Sequence, residues 1–234
     1  MISRVLKKHH FEVRGKSVLE IGPGNSYINA YNFLLNGASN VVLIDKYPRH
    51  SDTERQRSYT TNEINYFKAA HGIDRFEYAD PATGGLNPDY ITFIAGDLCE
   101  IAFEKKIDFI YSISVLHHIK DLDRYVKKMR GILNDGGMMF HIVDLKDKLH
   151  IFGSPFLFYK YSDFTWDNFL TEKSMTYTNR TRYQEYVDLF TRNGFELIWH
   201  RTIAYDISDC KIHRKFAGRT DLHIGDAIFI LKKI

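Results

Sequence analysis

Cysteine is scarce in this chain. Only Cys99 and Cys210 occur among 234 residues, far apart and without CxxC spacing. That pattern excludes a disulfide framework and a cysteine-built zinc site, and makes the reducing cytosol the expected compartment. Long apolar runs are missing too: no stretch approaches the ~18 residues that a membrane-crossing helix needs. The opening Met1-Ile2-Ser3-Arg4-Val5-Leu6-Lys7-Lys8 lacks the apolar core of a secretory leader. Charge of one sign is also in short supply. The net balance is only +3, with no dense basic tract beyond Arg4, Lys7 and Lys8, so a nucleic-acid partner is disfavoured. No repeat or low-complexity segment interrupts the chain.

What is present suits one folded core. The 44% hydrophobic and 26% charged fractions argue against disorder, and the length favours a single domain over 1–234 carrying insertions. The 15 Tyr and 17 Phe residues serve a core and also suit a pocket that encloses an organic ligand.

Strand and helix periods alternate along the chain. Ile2, Val5, Leu6 and Val13 give residues 2–13 a weakly amphipathic helical pattern. Ser17-Val18-Leu19-Glu20-Ile21 reads as a short buried strand, broken by Gly22-Pro23-Gly24-Asn25-Ser26. A helix follows to about Asn36, with Gly37 as its stop, and then a second strand, Asn40–Ile44, closed by Asp45. Strand, glycine turn, helix and strand make a βαβ unit, whose parallel strands need cover on both faces.

The alternation continues with strands at Tyr90–Ala95 and Ile107–Ser112. Leu122, Tyr125, Val126, Met129, Ile132 and Leu133 have helical spacing, ended by the turn Asn134-Asp135-Gly136-Gly137 before a strand at Met138–Val143. A last helix is expected from about Thr181 to Asn193, followed by strands at Glu196–Ile203 and Ala227–Leu231. Two stretches break the rhythm. Residues 46–89 are polar and hold a helix near Asn62–His71. Residues 145–180 are irregular and aromatic, with Phe152, Phe156, Phe158, Tyr159, Tyr161, Phe164 and Trp166. Both read as lid-like insertions.

A glycine turn at the carboxyl end of a first strand lets the backbone approach a ligand, and the following helix aims its N-terminal amides there. A dinucleotide fingerprint would require GxGxxG, yet Tyr27 stands at the sixth position. Val18-Leu19-Glu20-Ile21-Gly22-Pro23-Gly24 instead resembles the first motif of class I S-adenosylmethionine-dependent methyltransferases. Leu43-Ile44-Asp45, Ala95-Gly96-Asp97-Leu98 and Ser114-Val115-Leu116-His117-His118-Ile119 resemble three further blocks, in order. Arg130-Gly131-Ile132-Leu133-Asn134-Asp135-Gly136-Gly137 is similar to the family's Leu-Lys-Pro-Gly-Gly turn, with Asn-Asp for Lys-Pro. Ser26 stands where many relatives have a third glycine.

The resemblance implies an α/β, Rossmann-like three-layer sandwich with a seven-stranded, mostly parallel sheet whose last strand is antiparallel. It implies S-adenosyl-L-methionine as cofactor, S-adenosyl-L-homocysteine as product, and no metal. Gly22 and Gly24 would admit the methionine end, with its ammonium near Glu20. Asp45 would accept from the ribose hydroxyls and Asp97 from the adenine amino group, with Leu98 supplying a backbone N–H. Ser112 and Ser114 would line the methionine and sulfonium region. His117 or His118 would remove a proton from a hydroxyl acceptor. Asp144 would orient a histidine or the acceptor.

The later half is also similar to bacterial small-molecule methyltransferases of carbohydrate-related or uncharacterised pathways. That likeness rests on Lys160-Tyr161-Ser162-Asp163, Trp166 and Tyr177-Thr178-Asn179-Arg180-Thr181-Arg182. Arginines at a helix start are unfavourable to the helix dipole. Tyr161, Asn179, Arg180 and Arg182 are therefore read as acceptor-binding residues, the arginines holding an anionic group. The acceptor read from the sequence is a small molecule methylated on oxygen or nitrogen, possible classes being a carbohydrate, a nucleotide sugar, a specialised metabolite or a lipid intermediate. An RNA or protein substrate, or a catalytically silent cofactor-binding partner subunit, are the alternatives. Oligomeric state stays open.

Overall fold

The structure, a computed structural model, describes residues 2–49, 53–147, 154–171 and 177–234; Phe152 of the aromatic run lies outside them. Seven strands, β1 (Ser17–Ile21), β2 (Asn40–Asp45), β3 (Ile91–Ala95), β4 (Ile107–Ile113), β5 (Leu133–Asp144), β6 (Phe195–Ala204) and β7 (Ile224–Lys233), form one sheet in the order β3-β2-β1-β4-β5-β7-β6. β1 runs parallel to β2 and β4, β2 runs parallel to β3, and β6 runs antiparallel to β7. The helices are α1 (Ile2–Lys8), α2 (Ile28–Leu35), α3 (Glu54–His71), α4 (Leu122–Ile132), α5 (Asp163–Thr165), which runs on into a π-turn at Trp166–Leu170, and α6 (Tyr183–Arg192). The expected Rossmann-like, mostly parallel sheet flanked by helices, with its last strand antiparallel, is the observed one. Among the described residues no helix is long and apolar enough to cross a membrane.

The chain divides into two compact units, residues 1–112 with 131–138, and residues 113–130 with 139–234. In the first, β1, β2 and β4 are apolar on both faces because both are covered. Val18, Leu19, Val41, Leu43, Phe109 and Ile110 are all buried. Phe33 of α2 packs its ring 5.5 Å from Phe109 and 5.0 Å from Tyr111. Burying such a ring contributes roughly 2–3 kcal/mol.

Two boundaries differ from the sequence reading. α3 begins at Glu54, eight residues before the expected Asn62, capped by the Thr53 side chain, which accepts from the Gln56 N–H at 3.1 Å. Its early turns bury Gln56 and Thr60 rather than aliphatic residues, so the apolar stripe that betrays an amphipathic helix starts only at Ile64. β5 begins at Leu133, directly after α4, so Asn134–Gly137 belong to the strand rather than to a turn before it. Gly137 admits no side chain there: a Cβ would lie 2.8 Å from the Asn134 carbonyl oxygen and 3.0 Å from that of Asp108.

The second unit holds a separate aromatic core of Phe156, Phe158, Tyr159, Trp166, Phe216 and Leu222. Its β6–β7 ladder carries a bulge: Leu197 pairs with Leu231 and Trp199 with Ile230, leaving Ile198 as the extra residue. His141 of β5 is fully buried and stacked on Phe190, with ring centroids 5.9 Å apart.

Candidate active site

Parallel pairing aligns the carboxyl ends of four strands in the first unit. Ile21 stands beside Ile44 and Ser112, and Asp45 beside Ala95, so Gly22, Asp45, Gly96-Asp97 and Ser112 leave one edge of the sheet. That edge is where open α/β sheets bind ligands. The loop turns sharply there, with Gly22 at φ 70° and Gly24 at φ 61°, a left-handed backbone that glycine adopts without strain. No heavy atom lies within 4 Å of where a Gly24 Cβ would be, so the loop backbone is open to a ligand.

Asp45 anchors this edge. Its Oδ2 accepts from the Gly24 N–H at 3.2 Å and its Oδ1 from the Tyr47 N–H at 3.0 Å, which fixes the carboxylate while each oxygen keeps a further lone pair. The Asp45 carbonyl accepts from Gly96 N–H at 2.8 Å, joining the ends of β2 and β3. Asp97 caps the next turn, accepting from the Cys99 N–H at 2.8 Å, while Leu98 is buried beneath it. Ser112 is fully buried.

Glu20 is the unusual member. It is buried, accepts from the Tyr111 hydroxyl at 2.6 Å, and burial pushes its carboxyl up to about 8. The nearby charges of Glu63 and Asp45 push the same way. A carboxyl held uncharged by burial and like charge becomes an anion once a cation arrives. A deep acid, half-buried carboxylates and an open glycine backbone thus gather at one edge of the sheet.

In the second unit, the segment after β4 begins at Ser114, whose φ of 56° is left-handed for a non-glycine residue and strained by ~1–3 kcal/mol. Its N–H donates to the Ile142 carbonyl at 2.9 Å, which holds the turn against β5. Leu116–His118 then form one helical turn that splits the histidine pair: His117 is 2% exposed, whereas His118 is exposed, with ring centroids 4.0 Å apart. His118 Nδ1 lies 2.5 Å from the Tyr177 carbonyl oxygen. A carbonyl only accepts, so Nδ1 carries a proton, and in the neutral ring the lone pair is on Nε2. Asn179 clamps the turn from the other side, its amide donating to the carbonyls of Leu116 and Ile119 at 2.9 Å each and its N–H to that of His117 at 2.8 Å.

A family profile for a methyltransferase domain matches residues 2–202. The chain belongs to the class I S-adenosylmethionine-dependent methyltransferase family. No curated relative matches. Solved structures that this methyltransferase resembles include one from Listeria monocytogenes assigned as an S-adenosylmethionine-dependent methyltransferase, 17% identical, with 99% of this chain and 97% of that one covered at a TM-score of 0.57. Another, from Mesorhizobium loti, is also 17% identical, with 98% and 96% covered and a TM-score of 0.55. The magnesium protoporphyrin IX methyltransferase of Synechocystis, solved with bound S-adenosylhomocysteine, is 12% identical, with 100% and 80% covered and a TM-score of 0.52. At these identities the likeness shows the fold.

The methyltransferase uses the remaining sequence candidates differently from the expectation. Arg180 donates to the Tyr161 carbonyl at 2.8 Å and pairs with Asp163 at 2.5 Å, its guanidinium lying over Trp166. Arg182 is fully buried, donating to the carbonyls of Leu145 at 2.7 Å and Ile224 at 2.5 Å from within a cage of Phe156, Phe158 and Tyr159. The protein's own oxygens occupy the terminal nitrogens of both guanidiniums, with Arg182 Nε unbonded among the described residues, so the anion clamp read from their place at a helix start finds no open fork. The anions favoured there are also internal: Asp221 accepts from the Gln184 N–H and Glu185 from the Arg182 N–H, at 2.9 and 2.8 Å. Tyr161 gives its carbonyl to Arg180, and Asn179 spends its amide on the histidine turn. Asp144 pairs with Lys146 at 3.0 Å; Lys146 also binds Asp226, which accepts from the Tyr205 hydroxyl at 2.7 Å. Asp144 thus meets a lysine, where the sequence reading had it orient a histidine or the acceptor.

Sequence reasoning missed Tyr111, Glu63 and Lys146. Tyr111 read only as a strand aromatic. Glu63 offered one signal, a charge seven residues after Gln56 on a helix face that turns inward.

Proposed function

We propose that this methyltransferase methylates an oxygen or nitrogen of a small acceptor, with His118 as the base. The single observation behind this reading is the Nδ1–H···O=C bond to Tyr177 at an exposed residue, which in the neutral imidazole leaves Nε2 as the basic nitrogen. On the donor side, Glu20, Gly22, Gly24, Asp45 and Asp97 would hold S-adenosylmethionine: Glu20 facing its ammonium, Asp45 its ribose hydroxyls, Asp97 its adenine amino group. When bound, that cofactor supplies an electrophilic methyl carbon on a sulfonium, whose departure as a neutral thioether makes transfer intrinsically favourable. The chain then has to align the acceptor, exclude water and take one proton from the attacking O–H or N–H onto Nε2 of His118. The Tyr177 carbonyl holds that imidazole, and Asn179 holds the turn that carries it. The acceptor is small, and the two thiols, neither in a disulfide, favour a cytosolic setting.

Calorimetry with S-adenosylhomocysteine, followed by donor-consumption assays over hydroxyl and amine acceptors, tests the reading. His118→Ala should lower turnover ~10²-fold or more with product affinity unchanged, and should remove the acid limb of the pH–rate profile. Wild-type rates in that variant would leave the alignment of donor and acceptor as the sole device.

A further inference from the structure

α3 belongs to the polar insertion between β2 and β3, which the methyl-transfer reading leaves without a task. Its side chains converge on the glycine loop. Gln56, buried at 3% exposure, donates to the Asn25 carbonyl at 3.4 Å. Glu63 takes the next two residues: its Oε1 accepts from the Ser26 hydroxyl at 2.6 Å and its Oε2 from the Tyr27 N–H at 3.3 Å. Arg49, also from the insertion, donates to the Tyr27 hydroxyl at 3.0 Å and lies over that ring at 5.1 Å. Three consecutive residues at the exit of the loop are thus held by three side chains of the insertion.

We infer that Glu63 is a positioning residue of the cofactor site, and that α3 clamps the glycine loop through the Ser26–Glu63 pair. Ser26 replaces a glycine that the family pattern prefers, and its hydroxyl is what Glu63 grips. The short O–H···O⁻ distance is that of a charge-assisted bond, the stronger kind. Both carboxylate oxygens are used, so charge alone does not replace the geometry. A glutamine keeps one acceptor but turns an amide donor toward a second donor. An aspartate keeps the charge and loses one methylene of reach. The same carboxylate adds to the negative field felt by Glu20, so the clamp also draws a cationic ligand toward the loop.

This inference rests on the proposed cofactor role of the loop, and the experiment separates the two. S-adenosylmethionine and S-adenosylhomocysteine are titrated calorimetrically into wild type, Ser26→Ala, Glu63→Gln, Glu63→Asp and the Ser26→Ala/Glu63→Gln double variant, with amide exchange followed across Glu54–His71. Glu63→Gln and Glu63→Asp should each weaken both ligands ~10-fold. The double variant should bind no more than ~2-fold worse than Glu63→Gln, because the two residues act as one device. Ligand should slow exchange in α3 of wild type and not of Glu63→Gln. A Glu63→Gln protein that melts earlier yet keeps wild-type affinity and α3 protection would reduce the bond to local structure and overturn the inference. Wild-type affinity in Glu63→Asp, or fully additive losses, would overturn it too. No binding by wild type would overturn the cofactor reading and the clamp together; binding by wild type with unchanged variants would overturn the clamp alone.

Discussion

The Tyr111 hydroxyl donates to Oε2 of Glu20 at 2.6 Å, across two adjacent parallel strands and out of contact with water. With burial holding the carboxyl at about 8, Glu20 carries a proton at neutral pH until a cation comes beside it. Binding of S-adenosylmethionine at pH 7 should therefore release up to about one proton. Calorimetry in two buffers of different ionisation enthalpy measures it directly. The release should vanish in Glu20→Gln and shrink above pH 9, where the free protein has already lost that proton. An enthalpy that does not depend on buffer would show that the cofactor's cation lies elsewhere.

Arg182 should behave as a core residue. Replacing it with Met leaves the carbonyls of Leu145 and Ile224 without their donor, at roughly 1–3 kcal/mol for each buried group. Denaturant melts of Arg182→Met should accordingly show a loss of about 2–6 kcal/mol, with S-adenosylhomocysteine affinity nearly intact. An unchanged midpoint would return the guanidinium to ligand binding.

His141 sets an acid limit on stability. Burial lowers its imidazole to about 3, whereas in the unfolded chain it titrates near 6.5. Above that higher value both states are neutral and pH has no effect through this group. Below it the unfolded chain takes up a proton that the folded chain refuses, so stability falls by ~1.4 kcal/mol per pH unit down to the folded value. Between pH 6.5 and 5, wild type should lose about 2 kcal/mol more than His141→Leu in urea melts. Parallel losses in the two proteins would mean that the ring is protonated in place.

The sheet was legible because parallel strands covered on both faces write themselves as apolar runs. Ser17–Ile21 and Asn40–Ile44 needed only their composition and the punctuation of Gly22 and Asp45. The gathering of Gly22, Asp45, Asp97 and Ser112 at one edge was legible for a related reason: these residues sit at strand ends, where spacing is set by strand length. What escaped depended on contacts far apart in the chain. Nothing near Arg180 or Arg182 in sequence foretells that Tyr161, Leu145 and Ile224 turn carbonyls toward them. The histidine pair was visible as a pair, but only the distant Tyr177 carbonyl distinguishes His118 from His117. Glu63 stayed hidden because its partners, Ser26 and Tyr27, lie far from it in the chain and the helix buries Gln56 and Thr60 before its apolar stripe begins.

The extra residue at Ile198 reaches beyond the site. β6 is the outermost strand on its side of the sheet, so it exposes a row of backbone donors and acceptors that another extended chain could copy. The bulge breaks the spacing of that row, and Glu196, His200 and Arg201 set exposed polar or charged groups along the same strand. Removing Ile198 would leave Leu197 opposite Leu231 and Trp199 opposite Ile230 with no extra residue between them, evening that part of the border and making it a better template for self-association.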